Sequence, residues 1–190
     1  MTAVRSSEPE MRGQPVLEEL ARAKVNLTLR VLGRRADGYH ALDSIVAFAD
    51  VGDLVRLLPG APTQVRVTGP FATEIVGENL ATRALRLLSE AEPLLVLGEI
   101  VIEKRLPVAA GLGGGSADAA AVLRLVRRHN AELAAGIDWD GIALALGLDV
   151  PVCLTSRSCR MEGRGEMLTA LPYEIQVPAV VVNAREPVPA

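Results

Sequence analysis

The stretch Gly111-Leu112-Gly113-Gly114-Gly115-Ser116 constrains this chain more than any other: four glycines fall within five positions, between an apolar segment and an amphipathic helix. Glycine lets a backbone turn its N–H groups inward and approach an anion closely. The start of the following helix adds unpaired donors and a partial positive charge. A flexible linker or a close-packed turn is the alternative for a lone glycine run, but the flanking strand and helix favour a polyphosphate cradle. That helix is legible in Ala119, Val122, Leu123 and Val126, spaced i, i+3, i+4, i+7, with Arg124, Arg127 and Arg128 outside and Ser116 and Asp118 in the first turn. The Ser116 hydroxyl can donate to a phosphate or reach a metal ion. No Gly-Lys-Ser/Thr step occurs, so the run is not a Walker loop. It half matches the dinucleotide fingerprint, but no strand ending in an acidic residue follows.

Composition narrows the partners. The 190 residues suffice for one domain and part of a second. Apolar residues make up 49% and charged residues 23%, enough for a real core; aromatics are only 3%, so the core must be aliphatic. A net charge of −3 and a pI near 5.5 argue against a nucleic-acid binder. The charges are interspersed, so there is no polybasic membrane patch, and no apolar run approaches the ~20 residues of a membrane span. Cys153 and Cys159, with five residues between them and two histidines in the chain, fit no zinc pattern and read as reduced thiols. Residues 1–20 lack a signal core and read as a loosely ordered leader; the expected location is the cytoplasm.

Lys24 to Val31 alternates polar and apolar and predicts a half-buried strand, with Lys24, Asn26, Thr28 and Arg30 on one face and Val25, Leu27, Leu29 and Val31 on the buried one. A turn through Asp37-Gly38 follows. Further strands are expected over Ile45–Leu58 (broken at Gly52-Asp53), around Val65 and Val67, over Glu99–Glu103, from Leu148 into Val152, and over Val177–Asn183. Helices are expected from the Asn79 cap to Ser89, with a stripe of Leu80, Ala84, Leu87 and Leu88, and from Asp138 to a stop at Gly147. Taken singly, Lys24 also suits a charge-protected edge strand, Asn26 a solvated position and Asp149 a turn or cap.

Together these segments resemble one family. Ala23-Lys24-Val25-Asn26-Leu27 with Gly33-Arg34-Arg35-Ala36-Asp37-Gly38-Tyr39-His40, the stretch Leu106–Ala120, Gly147-Leu148-Asp149-Val150-Pro151-Val152 and Glu162-Gly163-Arg164-Gly165-Glu166 resemble the 4-diphosphocytidyl-2-C-methyl-D-erythritol kinases of the GHMP kinase superfamily, from about residue 21 to 187. The resemblance implies an α+β fold, the GHMP kinase N-terminal domain, a two-layer sandwich like domain 2 of ribosomal protein S5. This domain would cover residues 21–182, with 183–190 opening the connection to a C-terminal domain that is absent here. It implies ATP-dependent phosphorylation of a hydroxyl on the cytidine-linked methylerythritol, a step of non-mevalonate isoprenoid synthesis. Asp149 would be the catalytic base and Lys24 its partner. Pro107, Val108, Ala109, Ala110, Gly111, Leu112, Gly113, Gly114, Gly115, Ser116 and Ala117 would form the ATP loop. Asn26, Tyr39 and His40 would line the substrate side, the last two against the cytosine. Mg2+ would be held mainly through the ATP phosphates, with no protein metal site. Another small-molecule GHMP kinase and a non-catalytic S5-like binding module are the alternatives. A mean hydropathy of +0.28 adds the expectation that an apolar surface is left uncovered and self-associates.

Overall fold

A computed structural model describes residues 15–75 and 77–183, so most of the leader and of the 183–190 connection lie outside the described residues. Six strands run in chain order as β1 (Leu17–Arg34), β2 (His40–Leu58), β3 (Gln64–Thr68), β4 (Glu99–Glu103), β5 (Cys159–Gly163) and β6 (Met167–Ala170). The helices are α1 (Leu80–Ala91), α2 (Gly114–His129), α3 (Trp139–Leu146) and α4 (Val150–Thr155). β2 organises the sheet. Its whole length pairs antiparallel with β1 along one edge. Along the other edge its first half takes β5 and its last five residues take β4. β3 joins β4 in parallel and β6 joins β5, closing a mixed six-stranded sheet.

The helices form the second layer, and α2 is its centre. Ala117, Asp118, Ala119, Ala120, Ala121, Val122, Leu123, Leu125 and Val126 of α2 are all buried, and the alanines let its backbone approach the sheet. Val46, Val55, Leu57, Ile100 and Ile102 meet it from the strands, and Leu88, Val150 and Val152 from the other helices. The core is aliphatic, as the composition requires; each such side chain contributes roughly 1.5–3 kcal/mol on burial. Asn79 caps α1 by accepting from the Ala81 N–H at 2.8 Å, and Asp138 caps α3 by accepting from Gly141 N–H at 2.9 Å.

Several boundaries and faces differ from the sequence reading. β1 begins at Leu17, inside the stretch read as a leader. The two faces of β1 do not divide as the pattern implies. The register shifts between Arg22 and Lys24, and Ala21, Ala23 and Lys24 are all buried, whereas residues of both faces stand exposed from Leu27 to Arg34, Leu29 and Val31 among them. β2 passes through Gly52-Asp53 unbroken: a side chain at Gly52 would strike the Ala21 carbonyl, so the glycine admits close strand contact there. Leu148–Val152 does not enter a strand. Val150 opens α4, and Pro151 occupies its first turn, where its missing N–H costs no helical bond. Val177–Asn183 forms no strand and has no sheet partner. Among the described residues no helix is long and apolar enough to cross a membrane.

Candidate functional site

The glycine run leaves β4 and becomes the first turn of α2. Ala109 (φ 54°), Gly111 (φ 73°) and Gly113 (φ 63°) are left-handed, and Gly113 is the N-cap. The first helical bond runs from Ala117 N–H to the Gly113 carbonyl at 2.8 Å, so the N–H groups of Gly114, Gly115 and Ser116 precede the helical ladder. A cleft of about 310 Å³ opens over them, lined by every residue from Pro107 to Ser116 and walled by Ile75, Glu78, Asn79 and Leu80. Ala117 does not line it; it is buried in the core side of α2. A Cβ on Gly111 would meet nothing within 4 Å, and one on Gly115 only Leu80 at 3.9 Å, so the space above the loop is free for a ligand.

Lys24 fastens this loop to the acid proposed as base. Its backbone N–H donates to the Leu112 carbonyl at 2.8 Å, and its Nζ lies 2.8 Å from Asp149 Oδ1. The lysine side chain is 6% exposed and the aspartate 39%, so the pair has one dry partner and one facing solvent. Gly113 is packed against the lysine stem: a Cβ there would stand 3.1 Å from Lys24 Cβ. Asp149 occupies the N-cap position of α4 but makes no capping bond with its side chain, which leaves the free carboxylate oxygen available for chemistry.

A second charged cluster lies beneath the loop, and the sequence reading missed it. Lys104 Nζ contacts Asp53 Oδ2 at 2.5 Å and Asp118 Oδ2 at 2.7 Å, with all three side chains at most 4% exposed. Asp53 Oδ1 accepts from the Arg105 and Leu106 N–H groups, which pins the strand end where the loop departs. A Cβ on Gly114 would come within 3.1 Å of Lys104 Nζ, so the glycine makes room for the cluster as well as for a ligand. One ammonium balances one carboxylate; burial pushes the second, Asp118, up to about 7 against the pull of Lys104 and with the help of Asp53's charge. Asp118 Oδ1 has no hydrogen-bond partner. The signal available in sequence was charge at the ends of apolar runs, in Gly52-Asp53 and at Lys104 after Glu99–Glu103.

The residues proposed for the substrate side divide into two groups. Asn26 lies two residues beyond Lys24 but donates to Ser44 Oγ at 2.7 Å, inside a chain that continues to the Thr28 carbonyl. Tyr39 and His40 stand at the β1–β2 hairpin, both exposed, with His40 opposite Arg34. Along the β1–β2 ladder the Arg34–His40 pair lies at the hairpin end, away from the Lys24–Phe48 pair. Among the described residues no group of three or more His, Cys, Asp or Glu side chains is arranged to hold a metal.

Residues 79–157 match the family model described as the GHMP kinases N-terminal domain. A 4-diphosphocytidyl-2-C-methyl-D-erythritol kinase from Bradyrhizobium diazoefficiens is 52% identical over 180 residues, 94% of this chain and 60% of that protein. One from Rhodopseudomonas palustris is 53% identical over 174 residues, 90% of this chain and 58% of its own length. This chain thus spans about three-fifths of the curated relatives it matches. A crystal structure of 4-(cytidine 5'-diphospho)-2C-methyl-D-erythritol kinase superposes with a TM-score of 0.67 at 41% identity, over 82% of this chain and 55% of that one. A homoserine kinase from Cytophaga hutchinsonii, 17% identical, shares the fold with a TM-score of 0.56, over 88% of this chain and 55% of that one. The glycine loop at the head of α2, the mixed sheet beneath it and these likenesses agree: residues 79–157 match the N-terminal domain of the GHMP kinases, the chain carries the α+β fold of that domain, and it is similar over most of its length to the 4-diphosphocytidyl-2-C-methyl-D-erythritol kinases.

Proposed function

We propose that the chain carries the phosphoryl-transfer site of an ATP-dependent kinase acting on a hydroxyl of 4-diphosphocytidyl-2-C-methyl-D-erythritol. The observation that carries this reading is the single residue Lys24 joined at once to the glycine loop and to Asp149. Phosphoryl transfer needs placement and charge compensation more than covalent chemistry. The Gly114, Gly115 and Ser116 amides, with the helix start behind them, suit the β- and γ-phosphates of ATP. Asp149 accepts the proton of the attacking hydroxyl, and Lys24, 2.8 Å from it, holds that carboxylate in place and offsets charge at the acceptor oxygen. Mg2+ would supply further charge neutralisation, and the Ser116 hydroxyl would be the loop group to hold it. Asn26, Tyr39 and His40 take the substrate side, the latter two against the cytosine. The free, buried Cys153 and Cys159 accord with a reducing, cytoplasmic setting.

The test is transfer of the ATP γ-phosphoryl to the cytidine-linked substrate, run beside homoserine and mevalonate, together with ATP binding by the wild type and Gly113→Ala. Phosphorylation of the cytidine-linked alcohol alone is the expected result. Alanine at Gly113 strains a left-handed position by about 1–2 kcal/mol and presses on Lys24, so ATP binding weakens by roughly tenfold or more. Transfer to homoserine or mevalonate in preference, or unchanged ATP binding in the variant, overturns the assignment.

The uncovered apolar side of β1 has a consequence of its own. Leu27, Leu29, Val31 and Leu32 are 45–61% exposed on consecutive stretches of one strand. We expect this chain to self-associate through that surface. Light scattering at rising concentration should give a mass above the monomer; a constant monomer that binds no dye specific for exposed apolar surface contradicts it.

A further inference from the structure

Arg164 lies in the turn between β5 and β6, and its guanidinium carbon stands 5.0 Å from the centre of the Tyr39 ring. This contact joins two hairpins that are far apart in sequence. The turn is shaped to produce it. Gly163 is left-handed at φ 73°, and a Cβ there would lie 2.9 Å from both carboxylate oxygens of Glu166. The glycine therefore allows Glu166 to fold back and accept from the Arg164 backbone N–H at 2.5 Å. At the other end of the same turn, a Cβ on Gly165 would stand 3.6 Å from the carbonyl of Leu148, the residue before Asp149. The turn thus spans from the neighbour of the catalytic acid to the aromatic ring at the substrate end.

The ion pair that Arg164 makes with Glu166 is a loose one, at 3.8 Å from Nε to Oε1, and that Nε is buried without a hydrogen-bond partner. Arg35 and Asp37, the other charges at this hairpin, are committed to each other at 3.1 Å. What Arg164 does make is the stack on Tyr39. The ring is covered on that side and remains 51% exposed, so it still offers surface to a flat ligand.

From this we infer that Arg164 is a positioning residue that backs the Tyr39 ring, so that an aromatic base stacks on a fixed surface. The inference rests on the proposed substrate, whose cytosine supplies that base, and deepens it by naming what holds the stacking residue. The physical reason is twofold. A guanidinium plane over one side of a phenol ring fixes its rotamer, so less freedom is lost when a base lands on the other side. The cation also attracts the ring's π electrons, adding to the stack where water is excluded. Lysine lacks the planar surface and does not substitute.

The test uses two readouts on this chain: equilibrium binding of cytidine 5'-diphosphate, and steady-state kinetics with the cytidine-linked substrate and ATP. Arg164→Ala is expected to weaken cytidine diphosphate binding and to raise the KM for the alcohol substrate on the order of tenfold, with kcat and the KM for ATP unchanged. Arg164→Lys gives the same loss. In a Tyr39→Ala background, removing Arg164 has no further effect on binding, because the ring it acts through is gone. Unchanged cytidine diphosphate binding in Arg164→Ala, full rescue by lysine, or a loss that is just as large without the Tyr39 ring overturns the inference. A chain that binds cytidine diphosphate in this Arg164-dependent way yet transfers no phosphoryl group sinks the proposed function and leaves the positioning role standing.

Discussion

Asp149→Asn slows phosphoryl transfer by about 10²–10⁴-fold, the range for loss of a general base, and leaves ATP binding intact. The substitution keeps the shape of the side chain and removes its ability to take a proton. It also leaves Lys24, only 6% exposed, facing a neutral amide 2.8 Å away where it had a carboxylate. Lys24→Met produces a loss of similar size from the other side of the pair. Groups that act as a unit are not additive, so the double variant should be no slower than the slower single one. Steady-state rates with the cytidine-linked substrate, alongside circular dichroism to show that each variant is folded, decide the matter. Two single variants at the wild-type rate, or losses that multiply in the double, would remove Asp149 and Lys24 from their roles.

Lys104→Met has the largest expected effect on stability. It strips from two almost wholly buried carboxylates the ammonium that contacts both. Breaking a buried ion pair by removing one partner costs about 3–5 kcal/mol, which in a chain of this size lowers Tm by roughly 10 °C. Asp118→Asn acts the opposite way, and its effect depends on pH. In the folded chain Asp118 holds its proton up to about 7; unfolded, it releases it near 4, as an ordinary aspartate does. Between those values the folded state binds the extra proton. The stability contributed by this group therefore falls as pH rises, by up to about 1.4 kcal/mol per pH unit, and the loss is complete above about pH 7. Asparagine does not titrate. Urea midpoints should show Asp118→Asn gaining on the wild type between pH 5 and pH 8. A difference that stays flat across that window means that the carboxyl is already ionised at pH 5.

Local signals carried much of the fold. Asn79 and Asp138 mark helix starts that the structure keeps, and Gly147 marks a stop, because capping is settled by residues within a turn of one another. The period-two pattern of β1 identified a strand but did not foresee that Lys24 is buried or that both faces are exposed beyond Asn26. Three register shifts interrupt the pairing with β2, and no local residue announces them. The Val-Pro-Val run after Asp149 looked like a strand on β-propensity, while the better signal was proline's preference for the first helical turn. Pro107 to Ser116 could be placed at the cleft because glycine spacing is itself local. Asp53, Lys104 and Asp118 could not be joined: 51 residues separate the first two, and only the β2–β4 pairing brings them within bonding distance.

The backbone bond from Lys24 to Leu112 gives the molecule a mechanical property. The donor-side loop and the acceptor-side acid hang from one residue, so neither can shift without tugging the other. A change that loosens the loop to speed nucleotide exchange also slackens Asp149, the group proposed to deprotonate the alcohol. Evolution or an engineer who wants faster exchange with undiminished transfer must therefore alter the far wall of the cleft, at Glu78, Asn79 or Leu80, and spare the strand that carries the tether.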